Sequence, residues 1–84
     1  MYTLVYHVKR TEGEKVDENE YSGEEFRLKK NALHFLREVQ KECYIETGYS
    51  VEDVKNGLNC YKSKKCDEGV RETIETHIRV EKRI

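Results

Sequence analysis

The chain has no proline and only five glycines in its 84 residues. Its connections are therefore few, and none is stiffened by a pyrrolidine ring. No apolar run of about 18 residues occurs, which excludes a membrane-spanning helix. No glycine-rich phosphate fingerprint follows a strand-like stretch, which argues against nucleotide-driven chemistry. The first residues lack the basic start and apolar middle of a signal peptide. The three cysteines are an odd number with no close C-x-x-C pair. A reducing cytoplasm suits them better than a disulfide framework, and Cys43, Cys60 and Cys66 are too widely spaced for an ordinary structural zinc site.

What is present is charge: 39% of residues are charged against 36% hydrophobic, yet the formal net charge is only −1. No global field draws the chain to DNA or to an anionic membrane. The distribution is uneven. Residues 12–25 hold seven acids (Glu12, Glu14, Asp17, Glu18, Glu20, Glu24, Glu25) and one base, Lys15. Basic residues gather at Lys9-Arg10, Lys29-Lys30 and Lys62-Ser63-Lys64-Lys65. The apolar residues are clustered and periodic, so a single folded domain over 1–84 is expected.

Residues 2–9 alternate as a strand, with Tyr2, Leu4, Tyr6 and Val8 inward and Thr3, Val5, His7 and Lys9 outward. A second strand running from about Glu20 to Leu28 would pair with the first as a loose hairpin; otherwise 10–25 is a long acidic loop, and a short strand near 24–28 is the favoured reading. Leu28, Ala32, Leu36, Val39 and Cys43 then form an apolar stripe at helical spacing, flanked by Leu33 and Phe35. That predicts a helix from Lys29 or Lys30 to Thr47, closed by Gly48. Ser50 to Gly57, with Ser50 as N-cap and Asp53 three residues on, predicts a short second helix. Leu58–Lys64 and Val70–Arg83 predict two further strands. In the last, Val70, Ile74, Ile78, Val80 and Ile84 share one parity, and the opposite parity is polar.

The expected fold is α+β. An antiparallel sheet of three to four strands carries one main helix on one face, and a short second helix follows (β(β)ααββ). The expected core is Leu4, Tyr6, Val8, Phe26, Leu28, Ala32, Phe35, Leu36, Val39, Cys43, Val54, Leu58, Cys60, Ile74, Ile78 and Val80.

Catalytic constellations are weak. His7, His34 and His77 occupy predicted exposed positions, and no carboxylate sits in an apolar setting that would raise its pKa. No catalytic residue, cofactor or metal is assigned, and the chain is read as a non-enzyme. Two contact surfaces are legible instead. Glu14, Asp17, Glu18, Glu20 and Tyr21 would engage a protein partner, in the manner of an acidic segment docking on a basic groove. Alternatively, His7, Lys9, Tyr61, Lys62, Lys64, Lys65, His77 and Arg79 would contact nucleic acid across the open sheet face, Tyr61 stacking on bases and the cations meeting phosphates. The near-neutral balance, with a sequence pI near 6.3, favours the first.

The arrangement of a strand, a loop and the spacing Phe26, Lys29, Ala32, Phe35 resembles small orphan proteins of phages and mobile elements, including anti-CRISPR proteins, over residues 1–43. That resemblance implies an intracellular protein that blocks or modulates a larger partner by binding it.

Overall fold

The computed structural model describes residues 1–65 and 69–84. The expected turn thiol Cys66, and the turn at Asp67 and Glu68, lie outside the described residues. The elements are β1 (Tyr2–Glu12), β2 (Lys15–Phe26), α1 (Lys29–Val39), a π-helical extension of it (Gln40–Ile45), β3 (Ser50–Val54), β4 (Gly57–Lys65) and β5 (Arg71–Lys82). The strands form one antiparallel sheet in the order β2-β1-β5-β4-β3. The α+β architecture with one helix across one face is as expected; the sheet has five strands rather than three or four.

Two stretches account for the difference. The acidic stretch pairs with the first strand as a hairpin, but its strand runs over the whole of Lys15–Phe26 rather than from Glu20 to Leu28 or as a short piece near 24–28, and it is not a loop. Glu12 pairs with Lys15 around Gly13 and Glu14. Gly13 takes φ +60° at the first loop position, where hairpin turns of the primed type reserve a place for glycine. Opposite charges then face each other across the ladder, Lys9 with Glu18 and Arg10 with Asp17.

The expected second helix is the strand β3. A helix of one and a half turns closes too few hydrogen bonds to offset its nucleation cost. As a strand, the same residues pair with β4, and Val51 lies opposite Cys60. Lys55 and Asn56 make the hairpin loop, with Asn56 at φ +57°. Asp53, rather than capping a helix, accepts hydrogen bonds from Arg37 (2.7 Å) and Gln40 (3.1 Å), tying β3 to the helix.

Leu4, Ala32, Leu36, Val39, Leu58, Cys60 and Ile78 form the buried core. Tyr2, Tyr6, Phe26, Phe35 and Val80 pack at its margin, whereas Val8, Val54 and Ile74 lie half-buried outside it. Cys43 is exposed, against expectation. The cause is the π-helical turn: widening the helix by one residue shifts the stripe from the fourth residue after Val39 to the fifth. Tyr44 takes the inward place and meets Tyr49 edge-on, with centroids 5.1 Å apart. Leu28 also leaves the core. It is the N-cap, 51% exposed, with extended φ and ψ and no side-chain capping bond.

That uncapped terminus yields a first prediction. Lys29 and Lys30 follow it and no acid lies in the first turn, so both the orphan N–H groups and the dipole are uncompensated. Leu28→Asp is expected to stabilise the protein by about 1 kcal/mol, read as a rise in thermal midpoint. A fall would mean that the exposed leucine packs more productively than its exposure indicates.

Candidate functional site

The β1–β5 register sets His7 opposite His77, and β4 continues that row with Asn59 and β2 with Glu20. The face of the sheet away from the helix therefore carries Glu20, His7, His77 and Asn59 in line. The next row is Glu18, Lys9, Glu75 and Tyr61. The His7 and His77 rings are 6.5 Å apart. His7 lies 3.7 Å from Glu18 and 3.6 Å from Glu20, ion pairs that form when the ring is protonated. His77 Nδ1 and Asn59 Oδ1 are 2.7 Å apart, the ring nitrogen donating. A shallow cleft of ≈ 210 Å³ opens beside His77, Tyr61, Glu75 and Glu52.

Arg79 reaches from β5 across β1 to Glu20 on β2 (3.3 Å), and Arg83 donates to Ser22 Oγ (2.8 Å). Their stems span the strand that lies between, which explains why Val5 is only 1% exposed although it points away from the helix. Thr3 is buried on the same face; its hydroxyl donates toward the carbonyls of Gly23 and Glu24, where the β1–β2 register shifts.

The residues expected to contact a protein do not share one face. Glu14 sits in the hairpin turn and Glu18 and Glu20 face away from the helix, whereas Asp17 and Tyr21 lie on the helix side. What unites them is β2 itself. Every residue of β2 except Phe26 is exposed, and the strand lies at the edge of the sheet.

The nucleic-acid set divides too. His7, Lys9, Tyr61, Lys65, His77 and Arg79 share the open face. Lys62 and Lys64 point to the helix side. Lys62 donates to the carbonyl of Thr47 (2.8 Å) and sits 5.3 Å over the Tyr49 ring, and Lys64 lies 3.8 Å from Glu72. His34 stands alone on the outer helix face, 3.3 Å from Glu38.

Among the described residues no three histidine, cysteine or acidic side chains converge to hold a metal ion. No helix there is long and apolar enough to cross a membrane.

The titrations that move belong to the interior. Burial pushes the Cys60 thiol up to about 11. Burial raises Tyr44 as well, and raises Tyr6, with the neighbouring Tyr21 adding to the effect. These groups hold their protons more tightly folded than unfolded. Their contribution to stability is complete below the ordinary values of 9.0 for the thiol and 10.0 for the phenols, and is lost as pH rises through the folded values. Thermal stability is expected to decline from about pH 9 upward, and a flat profile through pH 11 would contradict the assignment. In a Cys66→Ser background, Cys43 is expected to react with a thiol reagent about a hundredfold faster than Cys60. Equal rates would mean that Cys60 is not sealed.

No family model matches the chain, and no curated protein is significantly similar to it.

Proposed function

We propose that this is a small non-enzymatic binding protein, an inhibitor or modulator that engages a larger protein partner through the carboxylates of β2. One observation carries the reading: the most acidic stretch of the chain is an ordered edge strand, exposed along its length apart from Phe26. Ordering matters because a strand has already met the conformational cost that a flexible loop would meet on binding. Side chains on one face of a strand recur about every 7 Å. Glu18 and Glu20 therefore form a fixed row of negative charge, with Asp17 on the opposite face. A basic groove that otherwise holds nucleic acid is the natural complement, as in a nucleic-acid-handling defence complex.

Capture from a bacterial lysate tests this when wild type is compared with the variant Asp17→Lys/Glu18→Lys/Glu20→Lys. The captured partner is expected to be lost from the variant and from wild type at high salt. Unchanged capture would refute the reading.

The open sheet face supports a second reading, a nucleic-acid module. Tyr61 is 45% exposed there beside Glu75 and His77, with Lys9 one strand further along the same row. Glu18, Glu20 and Glu75 stand in the same rows and repel phosphate. If labelled single- and double-stranded oligonucleotides show no shift at low salt, this reading ends.

A further inference from the structure

We infer that β2 recruits its partner by strand addition, taking up an extended peptide in which basic and apolar side chains alternate. The inference rests on the reading of β2 as the contacting strand and specifies what lies against it.

Three observations converge. First, among the described residues β2 pairs only with β1, so alternate N–H and C=O groups along its outer edge face outward with no described strand beside them. Second, the two faces of that edge differ. Away from the helix the edge presents Glu18 and Glu20; toward the helix it presents Asp17, Asn19 and, at the end nearest the helix, Tyr21. Third, on the helix side a cleft of ≈ 420 Å³ lies between β2 and the helix, lined by Tyr6, Tyr21, Phe35, Val39, Cys43 and Tyr44. Tyr21 is stacked on Tyr6 with centroids 5.0 Å apart and an interplanar angle of 9°, yet remains 52% exposed. The π-helical turn that brings Tyr44 inward leaves Cys43 exposed at the rim of this cleft.

An added strand alternates its side chains between the two faces. Those on the open face would meet Glu18 and Glu20 and are basic. Those on the helix face would meet the aromatic cleft, which suits an apolar side chain. Backbone bonds supply affinity in this mode, and alternate side-chain pockets supply specificity. Charge excludes a second copy as the occupant. Pairing β2 with itself would set its five carboxylates, against one lysine, beside the same residues of the copy.

The probe is the synthetic peptide Lys-Val-Lys-Phe-Lys-Val-Lys with blocked ends, with a control of equal composition carrying its lysines in one block. Binding is followed by amide hydrogen exchange and NMR shifts on the intact chain. The alternating peptide is expected to slow exchange at every second amide between Val16 and Ser22 and to shift Tyr21, Phe35 and Tyr44. It is expected to bind about tenfold more tightly than the control. Cys43→Trp, which fills the cleft without changing charge, should weaken it by a similar factor. Equal binding of the two peptides, binding without alternating protection, or no binding would each overturn strand addition. If charge reversal at Glu18 and Glu20 still abolishes lysate capture in that case, the acidic-surface reading survives and only this inference falls. If capture is unchanged by charge reversal, that reading falls while alternating protection by the peptide still supports strand addition.

Discussion

Leu36→Ala is expected to cost about 2–5 kcal/mol, enough to unfold much of the population of a domain this small. Leu36 is fully buried at the centre of the helix stripe, in one cluster with Leu4, Leu58 and Ile78. Among the described residues a single helix, with its π-helical extension, covers this sheet, so no second described layer can close over the cavity left by the truncation. Leu28→Ala provides the matched control. It removes the same atoms from a site 51% exposed and should cost less than about 1 kcal/mol. Chemical denaturation of both variants checks the contrast. Comparable losses would mean that the helix packs on the sheet in a different rotation.

Gly57→Ala is expected to cost about 2–4 kcal/mol, a large penalty for one methyl group. A Cβ at this position would stand 2.3 Å from the carbonyl oxygen of Ile78, a backbone atom in the neighbouring strand that cannot swing aside. Relief requires the β3–β4 turn to lift from β5. That strains the packing and loses the hydrogen bond from the Val80 N–H to the Asn56 carbonyl, 2.8 Å long. Gly57 does not need its conformational freedom; it needs the absence of a side chain. Gly48→Ala isolates the opposite case, since nothing lies within 4 Å of its added Cβ and only its φ of +87° resists the change. Denaturant midpoints that fall no further for Gly57→Ala than for Gly48→Ala would contradict the close approach.

The parts of the fold that were legible in the sequence are those where burial writes a period. The inward parity of Leu4 and Tyr6, the parity of Ile78 and Val80, and the stripe of Ala32, Leu36 and Val39 all follow from one-sided packing. The same parity put His7 and His77 on the open face, where they are now register partners. β2 was not legible by that route. An edge strand with both faces wet leaves no hydrophobic alternation, and only Val16, Tyr21 and Phe26 interrupt its polar run. The signal it does carry is charge complementarity around the turn: Lys9 and Arg10 before Gly13 face Glu18 and Asp17 after it. β3 was not legible because Ser50 and Asp53 imitate a helix cap, and its turn is made by Lys55 and Asn56, with Gly57 already in the next strand, rather than by an Asn-Gly loop. The exposure of Cys43 was not readable at all, because a stripe with α-helical spacing does not announce a π turn.

For function, the consequence is specific. The acidic stretch is an edge strand of the sheet rather than a loop; carboxylates stand on both of its faces, and Tyr21 joins them on the helix side. Its position follows from core packing elsewhere: β1 is anchored by Leu4 beneath the helix, and β2 is held in register on β1. Charge reversal along β2 leaves Leu4 and the helix contacts in place but sets like charges opposite Lys9 and Arg10 and removes the Arg79–Glu20 pair, so folding of the variant is checked first.

The most direct test is lysate capture by Asp17→Lys/Glu18→Lys/Glu20→Lys beside wild type, after circular dichroism and thermal melts establish that both are folded. The account predicts that the wild-type partner is absent from the folded variant. Equal recovery of the same partner by the folded variant would contradict it.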